Sequence, residues 1–213
     1  MFGAAADLPK VDEHLVHVGG DLAVSSLLRA YSSGAFPWTV APVTWWSPDP
    51  RTIFELASFR PPRSLAKFLR KNPFAFTVDQ AFRQVIESCA APAANRRSTW
   101  ITPEFQQAYE ALHRAGHAHS VEVWQGEQLV GGIYGVSIGR YFAGESMFHR
   151  VSNASKAALC HLIQHLHARG YTLFDVQMPT RITLQLGAQL IPRAEFLARL
   201  KQARAQPLEF QPK

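Results

Sequence analysis

One acidic side chain stands out in the stretch GRYFAGESMF (139–148), where Glu145 lies among residues that otherwise suit a buried strand. The glycine before Glu145 leaves room for a ligand to approach, and a carboxylate there can bind a cation or a hydroxyl group. The alternative is a structural salt bridge to a nearby cation such as Arg140 or Lys156. The residue is therefore a candidate for binding chemistry.

A second carboxylate, Asp175, precedes Gln177 by two positions in TLFDVQM (172–178). Side chains alternate between the two faces of a sheet, so a strand here would point both groups to the same face. Such groups can position a reacting amine or move its proton, although glutamine alone is far too weakly basic to act as a general base. The alternative is a carboxylate that ends the strand and caps a neighbouring turn.

The elements around these residues predict an α+β domain. Three antiparallel strands, a helix and a further strand follow one another, which is the order of an acyltransferase-type domain. Turns are predicted at 126–128 and at Ile138-Gly139. The predicted elements are strands at 119–125, 129–139, 140–148 and 172–178, and helices at 155–170, 180–188 and 192–204.

An N-acetyltransferase with this order would hold acetyl-CoA where the third strand leads into the helix. A glycine-rich loop at that point presents backbone N–H groups to the pyrophosphate. The corresponding stretch here, HRVSNASK (149–156), contains no glycine. We therefore exclude acetyl-CoA as the donor and expect an acyl group that arrives on another carrier.

The chain before residue 63 predicts a small N-terminal domain. Asp21 is placed to cap a helix that Gly34 ends. The prolines and paired indoles of TWWSPDPR (44–51) argue against a regular element there. The prolines at 61–62 mark a boundary, which divides the chain into domains 1–62 and 63–213. Between them and the strands described above, the predicted elements are helices at 63–71, 79–90 and 102–116 and a strand at 74–78.

Composition limits the class of protein. The chain of 213 residues is 47% hydrophobic and 18% charged, which is typical of a globular protein. No apolar run approaches the ~20 residues that cross a bilayer, and residues 1–10 lack a signal-peptide pattern. Cys89 and Cys160 form no C-x-x-C motif, so reduced, buried thiols and a cytoplasmic location are expected. The net charge of +6 weakly favours a polyanionic partner.

A series of short motifs runs in order along the chain: GGDL (19–22), GAFPW (34–38), WWSPDPR (45–51), TWIT (99–102), HSVEVW (119–124), GGIYGV (131–136), GESMF (144–148), ASKAAL (154–159), DVQ (175–177) and LGA (186–188). Together they resemble the leucyl/phenylalanyl-tRNA–protein transferase family. The resemblance implies transfer of leucine or phenylalanine, with methionine as a further candidate, from aminoacyl-tRNA to an N-terminal arginine or lysine. This transfer marks the acceptor protein for the N-degron pathway. The implied fold is a small N-terminal domain followed by an N-acetyltransferase-like domain, with a mixed, mainly antiparallel sheet flanked by helices.

The chemistry that the resemblance implies needs positioning more than a cofactor. The donor is an activated ester and the acceptor is a primary amine, so no metal, nucleotide or covalent intermediate is required. The protein must position the reactants, route the amine proton and stabilise the oxyanion. By resemblance, Gln177 contacts the attacking amine, Asp175 orients it or relays its proton, and Glu145 holds the aminoacyl ammonium or the terminal ribose.

The resemblance also implies an apolar pocket that fits the leucine or phenylalanine of the donor. Without the motifs, the same residues would be ordinary core. Discrimination against smaller side chains would be modest, because one methylene is worth about 1–3 kcal/mol. The implied pocket residues are Ile133, Phe142, Met147, Leu159, Leu162, Leu166, Phe174 and Thr180.

Two further features are candidates for binding the tRNA. The terminal adenosine can stack on an aromatic face, and Trp46, with Trp45 or Trp100 nearby, is the candidate platform. One face of the predicted helix 63–71 carries cations that can meet acceptor-stem phosphates, with an ordinary solvated face as the alternative. These cations are Arg63, Lys67, Arg70 and Lys71.

One segment departs from the family. After the DVQ triplet the family commonly shows a histidine and then a serine, whereas this chain has Ile182 and Gln185. The missing histidine puts the hydrogen bonding around the donor carbonyl in doubt. Two alternatives follow: a non-catalytic aminoacyl-tRNA or RNA-binding protein that kept the fold, and an acyltransferase with another acceptor, such as a peptidoglycan precursor. We expect a monomer with no cofactor, metal or membrane.

Overall fold

The computed structural model describes residues 14–71, 74–92 and 99–211. The signal-peptide expectation concerns residues outside these ranges. Within them, no helix is both long and apolar enough to cross a membrane. In chain order the elements are β1 (Leu15–Val18), α1 (Val24–Ser32), β2 (Phe36–Val40), β3 (Val43–Trp46), β4 (Arg51–Phe54), α2 (Arg63–Leu69), β5 (Ala75–Val78), α3 (Phe82–Ala90), α4 (Pro103–Arg114), β6 (Ala118–Gln125), β7 (Gln128–Ile138), β8 (Tyr141–His149), α5 (Ala154–Arg169), β9 (Leu173–Asp175), α6 (Arg181–Gln185), β10 (Gln189–Ile191) and α7 (Arg193–Arg204).

A seven-stranded sheet lies at the centre of the molecule, in the order β10-β4-β9-β8-β7-β6-β5. Its neighbouring strands are antiparallel except for β8 and β9, which run parallel. Helix α5 makes the crossover that a parallel pair requires. Helices flank this sheet, so the predicted α+β fold with a mixed, mainly antiparallel sheet is confirmed.

The three longest strands, β6 to β8, follow the predicted pattern closely. Gly126 and Gly139 have φ angles of 59° and 57° at the two turns, where a residue with a side chain would be strained. Gly135 lies within β7, and a Cβ atom there would come within 2.1 Å of the Ala143 carbonyl oxygen on β8. The close approach of β7 and β8 therefore depends on a glycine at this position.

Hydrophobic cores cover both faces of the large sheet. The consecutive residues Ile133 and Tyr134 of β7 belong to different core clusters, because side chains alternate along a strand. One cluster contains residues of α1, α3, α4 and α7. The other surrounds α5 and includes residues of α2. Cys89 and Cys160 are buried, reduced thiols, one in each cluster, as expected.

The N-terminal part contains more strand than predicted. Strands β1, β3 and β2 form a three-stranded antiparallel sheet with β3 in the middle. The expectation of an irregular segment at 44–51 is therefore wrong, because Trp45 and Trp46 lie in β3. Pro48 and Pro50 follow β3 rather than interrupt it, so its backbone can pair on both sides.

Two elements of the predicted N-terminal domain are helix α1 and strand β4. The N-cap of α1 is Ala23 rather than the predicted Asp21, whose carboxylate accepts a hydrogen bond of 3.0 Å from the Ala23 N–H. Gly34 follows the helix with a φ of 84°. Strand β4 lies before residue 62, yet it belongs to the large sheet. The division into domains 1–62 and 63–213 stays a prediction.

Candidate active site

A buried ion pair joins β4 to β9. The Arg51 guanidinium donates from Nε to Oδ1 of Asp175 at 2.8 Å and from Nη2 to Oδ2 at 2.7 Å, and both side chains are 0% exposed. The remaining nitrogen, Nη1, donates to the Gly34 carbonyl at 2.9 Å, and the guanidinium carbon lies 4.3 Å from the ring centroid of Phe196. Desolvation opposes the charge of Arg51, but the Asp175 carboxylate outweighs it and the pKa of Arg51 is raised.

The Asp175 carboxylate accepts two further hydrogen bonds. The Tyr141 hydroxyl donates to Oδ2 and the backbone N–H of Gln177 donates to Oδ1, each at 2.8 Å. With four donors and no solvent exposure, this carboxylate has no face open to an amine. The geometry fits the orienting role suggested for Asp175 and gives it no direct part in proton relay. The geometry also agrees with the alternative of a turn-capping carboxylate, because Asp175 accepts the Gln177 N–H in the turn that follows β9.

Gln177 does not lie on a strand, so the prediction that it shares a strand face with Asp175 is wrong. Strand β9 ends at Asp175, and Gln177 has a φ of 56°, in the left-handed region that residues other than glycine seldom adopt. Its carbonyl accepts from the Thr52 N–H at 3.1 Å. Its side-chain Nε2 donates to Oε1 of Glu145 at 3.2 Å. Gln177 therefore links the two carboxylates.

Glu145 occupies a β-bulge. Tyr134 of β7 pairs with Ser146 and Gly135 pairs with Gly144, so Glu145 is the extra residue of β8. A bulge re-aims a side chain relative to regular alternation, and bulges are frequent beside active sites. Strand alternation alone does not predict where this side chain points.

The contacts of Glu145 are to neutral groups. The Tyr109 hydroxyl donates to its Oε2 at 3.0 Å, and the Tyr31 hydroxyl lies 2.6 Å from that of Tyr109. Among the described residues, neither Arg140 nor Lys156 forms the salt bridge considered as an alternative. Burial raises the pKa of the Glu145 carboxyl to about 7, while the Tyr31 and Tyr109 hydroxyls act in the opposite direction. The side chain is 5% exposed and can hold or release a proton near neutral pH.

The residues of the predicted aminoacyl pocket lie together, but as closed core. Its seven apolar members are 0–1% exposed and belong to the cluster around α5. Thr180 instead caps α6, where its hydroxyl accepts the Thr183 N–H at 3.1 Å. A nearby cavity of about 300 Å³ is lined by none of the eight predicted pocket residues. Its lining residues are Pro62, Ser64, Leu65, Asn153, Lys156, Ile182, Gln185 and Leu186.

The three tryptophans of the predicted adenosine platform are not equivalent. Trp45 is 6% exposed and donates from Nε1 to the Gly19 carbonyl at 2.9 Å, so it offers no open face and its assignment is wrong. Trp46 and Trp100 are partly exposed. Trp100 stacks on Trp38 with 6.3 Å between ring centroids and meets the ring of Tyr109 edge-on at 6.4 Å. Trp100 therefore lies beside the tyrosine that binds Glu145.

The predicted basic helix face is exposed. Arg63, Lys67, Arg70 and Lys71 all face solvent, although α2 ends at Leu69 and the last two cations follow it. Leu65, on the opposite side of α2, is buried and lines the cavity. Helix α2 thus contributes Leu65 to the cavity lining and exposes Arg63 and Lys67, with Arg70 and Lys71 just beyond its end.

Comparisons with known proteins decide the family. The sequence profile described as leucyl/phenylalanyl-tRNA protein transferase matches residues 53–201, and the profile of that transferase's N-terminal domain matches residues 20–49. The chain belongs to the leucyl/phenylalanyl-tRNA–protein transferase family. This membership confirms the predicted enzyme class, an aminoacyltransferase.

The relatives carry the same family name, and two solved structures show a distant likeness. The leucyl/phenylalanyl-tRNA–protein transferase of Shewanella sp. (strain W3-18-1) is 52% identical over 192 residues, which cover 89% of this chain and 81% of the relative. That of Shewanella baltica (strain OS195) is 48% identical over 197 residues, or 92% and 83%. Among solved structures, a GCN5-related N-acetyltransferase from Kribbella flavida is similar over 68% of this chain and 55% of its own, with 13% identity and a TM-score of 0.42. L-PGS from Bacillus licheniformis is similar over 74% and 51%, with 12% identity and a TM-score of 0.43.

Several residues near the DVQ triplet (175–177) were not predicted from the sequence. One had a signal: Arg51 closes the WWSPDPR motif and begins the apolar strand RTIF, where a charge requires a partner. Tyr31, Tyr109 and Tyr141 gave no such sequence signal, because each stands at an apolar position of an ordinary helix or strand. The missed residues are Tyr31, Trp38, Arg51, Tyr109 and Tyr141.

Proposed function

We propose that the chain transfers leucine or phenylalanine from aminoacyl-tRNA to the N-terminal arginine or lysine of acceptor proteins and so makes them substrates of the N-degron pathway. The observation that carries this proposal is the run of buried polar contacts from Asp175 through Gln177 to Glu145. Within the described part of the chain, it places a carboxyl that is hydrogen-bonded to neutral donors beside an amide, which suits the binding of an amine.

Glu145 is the group that takes the amine proton. An α-amino group has a pKa of about 7.7–8.0, so the acceptor arrives largely as an ammonium and must lose a proton before it attacks. The pKa of Glu145, raised to about 7 by burial, is close to this value, as efficient proton transfer requires. The acceptor ammonium also supplies a positive charge to a buried carboxylate whose hydrogen bonds come from neutral groups.

The bond changes then balance without a further reactant. The amine nitrogen attacks the ester carbonyl and the C–N bond forms. The C–O bond to the ribose breaks, and the proton held by Glu145 passes to the leaving ribose oxygen. Glu145 then takes the second proton that the nitrogen loses as the amide forms, and releases it to solvent. The side-chain amide of Gln177 donates from Nε2 to Glu145 and accepts an amine N–H on its Oε1. It therefore fixes the line of attack.

The tRNA lies across the cations of α2, and its terminal adenosine stacks on Trp46 or Trp100. The donor side chain enters the apolar cluster around α5, whose buried, closely packed members must move apart to admit it. Met147 suits this cluster, since an unbranched side chain adapts to different shapes. The protein acts as a monomer.

A transfer assay tests the proposal. Leucyl-tRNA or phenylalanyl-tRNA is mixed with a peptide that begins with arginine, without ATP and with a chelator, and the peptide mass is followed. We expect a mass gain of one leucine or phenylalanine residue, and no gain for matched peptides that begin with acetyl-arginine or glycine. Binding of the charged tRNA without transfer would favour the non-catalytic alternative. A requirement for nucleotide or metal would contradict the mechanism.

A further inference from the structure

Arg51 is fully buried and contacts no group that the proposed reaction uses directly, yet Asp175 and Gln177 connect it to Glu145. We propose that Arg51 is a positioning residue, which acts through Asp175 to hold Gln177 in the backbone conformation that brings its amide to Glu145. This inference rests on the proposed function and adds to it a residue from a different strand, β4.

The ion pair between Arg51 and Asp175 has a fork geometry. Nε and Nη2 of Arg51 each donate to a different oxygen of Asp175, so the plane of the carboxylate is fixed. Tyr141 holds Oδ2 from a further direction. Oδ1 is left facing the backbone N–H of Gln177 at 2.8 Å. A rotated carboxylate would lose this last contact.

The backbone of Gln177 is strained. A left-handed conformation is unfavourable for a residue with a side chain, so the surroundings must hold it. Two hydrogen bonds do so: the N–H of Gln177 donates to Asp175, and its carbonyl accepts from the Thr52 N–H at 3.1 Å. The adjacent residues Arg51 and Thr52 control both, one through its side chain and the other through its backbone. Strand β4 therefore sets the direction of the Gln177 side chain.

The ion pair does not by itself indicate a contribution to folding stability. A buried ion pair is weak evidence for stability, because desolvation offsets most of the attraction and apolar replacements often fold as well. The stacking of Phe196 on the guanidinium and its bond to the Gly34 carbonyl satisfy the remaining groups of Arg51. What the pair supplies beyond stability is a fixed orientation of Asp175, next to the residue that contacts Glu145.

The test compares three variants in the transfer assay. Arg51→Lys keeps the charge but loses the fork. Tyr141→Phe removes a single bond to Asp175 and is the milder change. Arg199→Lys is the matched control, because Arg199 also pairs with carboxylates, at Glu55 and Glu195, but its side chain is partly exposed and it does not bond to Asp175. For each variant, kcat and KM are measured at a temperature where circular dichroism shows folded protein.

We expect Arg51→Lys to lower kcat by about 10–100-fold, since a misplacement of about 1 Å can cost 10²-fold, with KM for the charged tRNA within about twofold. Tyr141→Phe should lower kcat by a few-fold, and the control should match the wild type. A folded Arg51→Lys protein with wild-type kcat would overturn the inference. If that variant does not fold, wild-type kcat in Tyr141→Phe overturns it.

A second measurement separates this inference from the proposed function. Hydrogen exchange of the Gln177 backbone amide needs no substrate, and it should be faster in Arg51→Lys than in the wild type while exchange within β7 is unchanged. If the wild-type protein transfers nothing, the proposed function fails. Unchanged exchange at Gln177 in the folded variant would then show separately that Arg51 does not hold this residue.

Discussion

Nε2 of Gln177 lies 3.2 Å from Oε1 of Glu145, and this contact joins two carboxyl groups in opposite surroundings. Asp175, on one side, is paired with Arg51 and accepts four hydrogen bonds. Glu145, on the other, is bonded to neutral donors, and burial raises its pKa to about 7. We propose that these opposite surroundings give the two acids different roles: Asp175 orients Gln177, and Glu145 exchanges a proton.

The substitution Asp175→Asn should reduce both stability and turnover. It leaves Arg51 buried without a counter-charge, which costs about 3–5 kcal/mol when one partner of a buried pair is lost. Adding Arg51→Met removes that charge, so the double variant should regain most of the free energy of unfolding. Its kcat should stay low, because the fork that orients the turn is absent. Denaturant unfolding and transfer kinetics check this, and recovery of kcat along with stability would contradict it.

The four cations on α2 and just after its end should affect the binding of tRNA and not the chemical step. Changing Arg63, Lys67, Arg70 and Lys71 to alanine should raise KM for charged tRNA and flatten its dependence on salt, because fewer counterions are released. Activity with a minimal aminoacyl-adenosine donor should survive, since that donor has no acceptor stem. An equal loss with both donors would mean that α2 only supports the fold.

The parts of the fold that sequence predicts well are those with local signals. The meander β6 to β8 follows from alternating residues and glycine turns, and α5 follows from apolar periodicity that ends at Gly170. Thr102 caps α4 as its type suggests, accepting the Phe105 N–H. These elements carry the information for their own conformation within a few residues.

The rest depends on contacts that local patterns do not contain. Arg51 and Asp175 are separated by 124 positions in the chain, and only the pairing of β4 with β9 brings them together. The left-handed backbone of Gln177 is imposed by that pairing, so a strand through residue 178 was the natural prediction. Trp45 and Trp46 form a strand because β1 and β2 flank them. The bulge at Glu145 likewise arises from the register between β7 and β8.

Stability should depend on pH through Glu145. Its pKa is raised from 4.5 to about 7 in the folded protein, so its contribution is complete below pH 4.5 and is lost as pH rises through 7. The Glu145→Gln variant has no such group and should gain stability relative to the wild type between pH 5 and 8, by up to roughly 3 kcal/mol. Urea unfolding at several pH values measures this. A difference that is constant with pH would show that Glu145 does not titrate in this range.

The Tyr109 hydroxyl should tune the proton acceptor. Its hydrogen bond lowers the pKa of Glu145, so Tyr109→Phe should move the acid limb of the kcat/KM profile for the acceptor to higher pH. Tyr171→Phe is a matched control, because that buried hydroxyl bonds to Ser137 instead. The control should leave the midpoint of the limb unchanged. A shift to lower pH in Tyr109→Phe would contradict the assigned direction.

The measurement that tests the central claim most directly is kcat/KM for the acceptor peptide as a function of pH, in the wild type and in Glu145→Gln. The wild-type profile should rise through a midpoint of about 7, set by Glu145, and fall near 8, where the acceptor ammonium of about that pKa loses its proton. In Glu145→Gln the value should drop by roughly 10²–10⁴, and the acid limb should follow the acceptor amine alone. A folded variant with the wild-type profile and rate would show that Glu145 does not take the proton.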